Sequence, residues 1–324
     1  MSEITIKVNG RCFLEWNELV IQKDLEAMAG CFEFNIVQTS ESWPIVAGDK
    51  IEIYHANTPL IYGFVDYLSP SLSADDRTIQ VAGRDNTCDI IDCSHTGKKR
   101  EFTGNQDIVS IIRELTKPFG IEVVSEIKPI PRIKTFKIDP GESLFESIER
   151  ATRKLGIILQ PSGDGRLVLT RISQKKKGIL LQEGYDFLDC SATYDHQERY
   201  SDYILKFYDG RYQALTKTVK DHKVKRYRPL EIVSETPLTL SEAQTKLDWE
   251  ARVRAARSFD FTATVQGWSH DGKPWLPNTV FSITAPKVGL VDEPLLLRSV
   301  DYFFDEDGTT TGLSFGEMEK KSII

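Results

Sequence analysis

Residues 259–283 read FDFTATVQGWSHDGKPWLPNTVFSI, and the fold depends on how they divide. Phe259, Phe261, Thr262 and Val265 make one β-rich segment. Gly267-Trp268 and an Asp271-Gly272 turn follow, and Val280, Phe281 and Ile283 make a second segment. Leu295 to Tyr302 supplies a third strand. Leu313-Ser314-Phe315 closes the run after an Asp307-Gly308 turn. β-branched and aromatic residues bounded by Gly, Asn, Asp and Pro predict short antiparallel strands.

This pattern occurs twice. Phe32-Glu33-Phe34 matches Phe259-Asp260-Phe261, and Ile51 and Ile53 align with Phe281 and Ile283. Pro59-Leu60 followed by Val65-Asp66-Tyr67 matches Pro294-Leu295 followed by Val300-Asp301-Tyr302, five identities in a gapless nine-residue window. The offset grows from 227 to 235 residues, so the second copy has longer loops. Chance likeness of short strands could account for any one block. Three blocks in the same order point instead to one β-domain used twice.

Working outward, residues 1–97 read as the first small antiparallel β-barrel. Ile4, Ile6 and Val8 alternate with polar residues ahead of the hairpin signal Asn9-Gly10. Cys31 to Val37, Lys50 to Tyr54, Leu60 to Tyr67 and Thr78 to Ala82 supply further strands. Residues 98–177 read as an inserted α+β module of two helix-Gly-strand units. Thr103 with Gln106 predicts a capping box ahead of Ile108, Ile111, Ile112 and Leu115, with Gly120 as the stop. Asp139-Pro140-Gly141-Glu142 predicts the second start, followed by Leu144, Ile148, Ala151 and Leu155 on one face and Gly156 as the stop. Lys175-Lys176-Lys177 reads as a solvated linker. Residues 178–318 read as the second barrel, with a strand at Tyr203 to Phe207 and an inserted helix at 239–257 opened by a Thr239–Glu242 capping box. Residues 319–324 read as a loose tail.

The chain has 324 residues, 27% of them charged, and a net charge of −7. That balance argues against general nucleic-acid affinity, which needs clustered Lys and Arg. The basic stretch Lys217 to Arg228, interleaved with Tyr227, leaves open a barrel that binds nucleic acid as OB-type barrels do. MSEITIKVNG is no signal peptide, and no apolar stretch approaches the roughly 20 residues of a membrane span. Five scattered cysteines (Cys12, Cys31, Cys88, Cys93, Cys190) fit a chain made in a reducing cytoplasm.

No enzyme signature is present: there is no phosphate-binding Gly loop, GxSxG or HExxH. His55, His95, His196, His222 and His270 are dispersed. Cys88, Cys93 and His95 lie close together but lack the second pair a zinc site needs, so buried thiols are the simpler account. Asp305-Glu306-Asp307-Gly308 resembles part of a calcium loop without its alternation or terminal Glu, and reads as a turn. Catalytic, cofactor and metal residues are therefore none, no cofactor is expected, and no interface residues are assigned. Two carboxylates could still lie at glycosidase separation, which leaves a tail-associated cell-wall hydrolase as an alternative.

Several segments carry a family likeness: Arg199-Tyr200-Ser201, Arg226-Tyr227-Arg228-Pro229-Leu230, Trp249-Glu250, Gly267-Trp268, Pro274-Trp275-Leu276-Pro277-Asn278, and Leu295-Leu296-Leu297 with Val300-Asp301-Tyr302. Together with Asp139 to Leu144, they resemble the Mu-like phage tail protein family, the late-control-D-like central hubs of contractile-tail baseplates. The likeness is strongest after residue 190 and weakest in the first 90. It implies a structural hub: a homotrimer with two similar barrels per subunit, giving six around a ring that adapts a six-fold tail tube to a three-fold spike. It also implies tube and spike proteins as partners, DNA only as passing cargo, and a place in the virion baseplate after assembly in the bacterial cytoplasm. An active phage, a prophage and a tail-like bacteriocin are equally compatible. Trp268, Trp275 and Tyr302, at strand spacing, are expected in the core.

Overall fold

The computed structural model describes residues 4–37, 45–72, 77–173, 176–210 and 213–318. Lys175 and the tail 319–324 lie outside the described residues, as do the side chains of Lys176 and Lys177.

In chain order, the first seven strands are β1 (Ile4–Val8), β2 (Arg11–Phe13), β3 (Glu18–Asp24), β4 (Cys31–Val37), β5 (Lys50–His55), β6 (Thr58–Leu72) and β7 (Arg77–Asp85). Next come α1 (Cys88–Asp92), β8 (Glu101–Asp107), α2 (Ile108–Thr116), β9 (Val123–Ser125), β10 (Arg132–Lys137), α3 (Leu144–Lys154), β11 (Ile158–Pro161) and β12 (Leu167–Thr170). The remainder is β13 (Lys176–Gln182), β14 (Phe187–Tyr194), β15 (Asp202–Tyr208), β16 (Ala214–Lys220), β17 (Pro229–Val233), α4 (Leu240–Arg257), β18 (Phe259–Gln266), β19 (Ser269–His270), β20 (Lys273–Pro274), β21 (Thr279–Ala285), β22 (Leu290–Asp305) and β23 (Gly308–Glu317). The chain divides into two compact units. Unit one holds 1–175, 264–279 and 297–313, and unit two holds the rest, so β18, β21, β22 and β23 each contribute a part to both.

Strand pairing in one 13-stranded sheet includes the run β22–β3–β4–β7–β6–β5–β1–β2. Period-two alternation turns Leu19, Ile21, Phe32, Phe34, Ile51, Ile53, Ile79 and Val81 inward, all essentially inaccessible. Asn9 and Gly10 take positive φ, as the tight β1–β2 hairpin requires, and Ala56-Asn57 does the same between β5 and β6 without a Gly to announce it. β2 is the end strand and β3 pairs on its other edge with β22, yet β2 and β3 are joined by only four residues, so this run must roll. Among the described residues β2 and β3 do not pair, and the barrel expected from sequence is not closed by backbone hydrogen bonds.

The same sheet also contains the run β14–β18–β23–β22–β21–β13. Its end strands β13 and β14 are again neighbours in sequence, held by a turn in which Asp186 Oδ2 accepts from Gln182 N at 2.7 Å. They too do not pair among the described residues. β13 runs parallel to β21, so this sheet is not purely antiparallel.

The α+β segment packs α2 and α3 on short strands, with Ile108, Ile112, Leu115, Ile148, Leu167 and Leu169 in one core with Met28 and Ile90. Both helix starts differ from expectation. Residues 101–107 are strand, because Gly104 and Asn105 take left-handed φ and bulge β8 against β10. The cap of α2 is Asp107, whose carboxylate accepts from Ser110 N at 2.7 Å. Asp139 to Glu142 closes on itself as a turn, with Glu142 Oε2 accepting from Asp139 N, and α3 starts after Ser143 in a Ser143–Glu146 capping box. The Thr239–Glu242 box at α4 is where the sequence puts it. That helix covers a three-stranded sheet, β16–β15–β17, through Ala243 and Leu247 against Tyr203, Leu205 and Phe207.

Candidate assembly surface

The residues that carry the family likeness hold the fold together. Arg199 is buried, with Nε donating to Asp221 Oδ2 at 2.7 Å and Nη1 to Ser258 Oγ at 2.9 Å. Burial pushes the Asp221 carboxyl up, but its bonds from Arg199 and from Lys223 N prevail and hold it below the usual range. Tyr200 lies between two guanidinium groups, Arg228 at 5.3 Å and Arg254 at 5.4 Å from its ring centre. Ser201 Oγ accepts from Arg228 N at 2.8 Å. Trp268 is 1% exposed and donates Nε1–H to Phe303 O at 2.8 Å, and Tyr302 OH donates to Trp275 O. Asn278, at positive φ, accepts from Ser173 N at 2.7 Å and donates to Arg171 O at 2.9 Å. Sequence signatures of this kind mark places where polar groups are buried and must be paired.

Among the described residues, exposed apolar surface lies on sheet faces and on a helix face. On the outer face of β3, β4, β6 and β7, a hollow of about 390 Å³ is lined by Val20, Tyr67, Ala82 and Gly83. Charge surrounds it: Arg84 bridges Asp66 and Asp92, both at 2.7 Å, and Gln80 bonds Glu33 at 2.6 Å. Tyr67 stands 54% exposed. In unit two, Trp249 on α4 is 51% exposed and forms a groove with Val253, Arg254, Arg257, Glu198 and Asp195. Tyr185, Leu188 and Val291 are also exposed there. Apolar side chains ringed by charge are the composition of a protein interface.

The residues weighed for chemistry stay apart. Cys88 is buried on α1, and burial pushes its thiol up to about 12, the opposite of an activated thiolate. His95 Nε2 lies 2.9 Å from Lys99 O. No three His, Cys, Asp or Glu side chains gather as a metal site among the described residues. His55 sits 5.7 Å from Trp268, and His270 5.4 Å from Trp275, as core and turn residues. Asp305 accepts from Asp307 N at 2.9 Å and so closes its own hairpin turn. In the basic stretch, Lys217 donates to Leu240 O, while Lys220 and Lys223 face Asp202 and Glu317 at 3.7 and 3.5 Å. No described helix is long and apolar enough to cross a membrane.

Three family models match in succession. Residues 3–85 match the N-terminal domain of the Mu phage baseplate assembly protein GpP-like family. Residues 87–171 match the second domain of the baseplate hub protein gp44-like family, and residues 239–320 the fourth domain of the Mu phage baseplate assembly protein GpP. The chain is 29% identical over 335 residues to the baseplate hub protein gp44 of Escherichia phage Mu, covering 98% of this chain and 88% of that one. The crystal structure of a 43 kDa tail protein of prophage MuSo2 from Shewanella oneidensis superposes with a TM-score of 0.88 at 29% identity, over 97% of this chain and 98% of that one. A tail protein from Neisseria meningitidis shares the fold at a TM-score of 0.82 and 20% identity, over 97% and 96% of the two chains. Over its whole length the chain is thus a relative of the Mu-like phage tail proteins.

Proposed function

We propose that this relative of the Mu-like phage tail proteins is a structural, non-enzymatic protein, the central baseplate hub of a contractile phage, prophage or tail-like particle. The observation that carries the reading is the repeated strand order. β3, β4, β7, β6, β5 and β1 have β14, β18, β23, β22, β21 and β13 as counterparts, position for position. The matched blocks Phe32–Phe34 with Phe259–Phe261, and Pro59–Tyr67 with Pro294–Tyr302, fall on counterpart strands. We take these as one β-domain duplicated, with domain limits near 1–97, 98–177 and 178–318. The module of β15–β17 and α4 is inserted where the first copy has only the β3–β4 turn, a link that tolerates insertion.

A homotrimer of such a chain presents six similar rolled sheets. That ring matches a six-fold tube on one face and a three-fold spike on the other, because symmetry decides which interfaces can close. The acidic chain leaves a channel through which DNA passes without being held. The printed role of the Mu relative supports the hub reading. End-on electron-microscopy averages of the purified protein test it. Three-fold rings with six lobes are expected, and rings of any other symmetry would overturn it.

A further inference from the structure

The α+β segment of unit one leaves a strand edge open. Among the described residues, β10 pairs with β8 and with no other strand. Their antiparallel register sets Thr135 opposite Thr103, Phe136 opposite Phe102 and Lys137 opposite Glu101, and Ile138 N donates to Arg100 O at 2.9 Å. Bonded and non-bonded pairs alternate along such a ladder, so Thr135 and Lys137 turn their N–H and C=O groups away from β8. One of these groups is reached from α3: Arg150 Nη2 donates to Lys137 O at 2.8 Å. The open edge therefore faces α3. No described residue bonds the N–H of Lys137 or the outward backbone groups of Thr135.

Between that edge and α3 lies a groove of about 260 Å³. Its floor is Ile133, Ala151 and Leu155, half-buried side chains packed on the core of this segment. Its walls carry five cations, Arg132, Lys134, Lys137, Arg150 and Lys154, and no carboxylate. Glu142 pairs with Arg150, and Asp139 with Lys137 at 3.4 Å, so those two charges are matched from outside the groove. Arg132 Nε donates to a carbonyl, Asn105 O, at 2.7 Å, and Lys134 and Lys154 form no ion pair among the described residues. The excess of positive charge rests on these last two, in a chain whose net charge is −7. Lysines on a bare edge strand serve to keep other strands away. Here they flank an apolar floor beside outward backbone donors, which makes a receiving surface rather than a guarded one.

We propose that this groove takes one extended acidic segment of a partner protein, added along the open edge of β10. Its alternate side chains divide the work: apolar ones lie on the floor, and carboxylates face Lys134 and Lys154. A nucleic acid suits the groove less, because no exposed aromatic ring lines it for bases and the acidic chain repels a long polyanion. This goes beyond the hub reading and does not need the trimer. Fluorescence anisotropy on the full chain tests it with a short labelled peptide that alternates Glu and Val. The peptide is expected to bind saturably, and its counterpart with Gln for Glu about ten-fold or more weakly. Methylating alternate backbone nitrogens of the peptide keeps its charge, removes its strand bonds and should weaken it as much. Lys134→Glu with Lys154→Glu should also cost about ten-fold or more. Lys225→Glu, a reversal at an exposed site in unit two, should change nothing. Absence of saturable binding would overturn the proposal, as would equal binding of the Gln peptide, unweakened binding of the methylated one, an equal loss in Lys225→Glu, or displacement of the peptide by oligothymidine. The peptide comparisons use the unaltered protein and hold even where a variant fails to fold.

Discussion

Replacing Arg199 with alanine should open the β15–β16–β17 module while leaving the rest of the chain folded. Arg199 and Asp221 have side chains only 6% and 13% exposed and meet at 2.7 Å. Removing one partner of such a pair strands the other charge, at a cost of about 3–5 kcal/mol. Hydrogen–deuterium exchange of the β15 amides, corrected for intrinsic rates, reads that local cost. Protection should fall roughly a hundred- to several-thousand-fold at pH 7, since each 1.4 kcal/mol is about a factor of ten. The sign with pH follows from Asp221. Its carboxyl is held below the usual range in the intact protein, so its contribution is complete above about pH 4 and is lost as pH falls through the lowered folded value. In the alanine variant burial is opposed only by Lys223, whose N–H still donates to the carboxylate, so the carboxyl protonates more easily and the penalty for a bare charge fades as pH drops. The deficit should therefore be largest at pH 7 and shrink toward pH 4. The pair Arg199→Met with Asp221→Leu should recover most of the loss, because no buried charge remains. A deficit below about 1 kcal/mol, or one unchanged between pH 7 and 4, would refute the reasoning.

Trp268→Phe keeps the ring but leaves Phe303 O without its donor. The expected loss is about 1–3 kcal/mol in denaturant midpoint measurements. Thr239→Ala removes the acceptor that Glu242 N uses, so α4 should fray at its start and lose about 1 kcal/mol, seen as faster exchange at Ser241 to Ala243. Gly83→Ala would place a Cβ 2.0 Å from Phe64 O, against backbone that cannot yield. That variant should lose the β6–β7 pairing and expose the buried Phe32, read as increased dye binding.

Much of the β architecture was legible because its turns carry their own chemistry. Asn9-Gly10, Asp271-Gly272 and Asp307-Gly308 all sit at hairpins, and each of these glycines has positive φ. Thr239–Glu242 fixed the start of α4 because both halves of a capping box are visible in four residues. Thr103–Gln106 imitates that spacing, yet Gly104-Asn105 between them prefers a left-handed bulge, and Asp107 is the better cap. Helix α1, at five residues, is too short to show a period. The parallel pairings β15–β17 and β13–β21 join strands distant in sequence, which local pattern cannot encode. Period two from Leu19 and Ile21 places Lys23 on the core face, and a lysine there is out of keeping with its neighbours. The cavity that Lys23 lines has walls from residues 59, 161 and 274–277, and only the fold brings them together.

The central claim is that one chain with two matched rolled sheets assembles as a closed ring of three. Light scattering of the purified protein across a dilution series tests it most directly. The account predicts a mass three times 36.8 kDa that does not change with concentration. A mass of one chain at every concentration, unchanged when the spike protein is added, would contradict it.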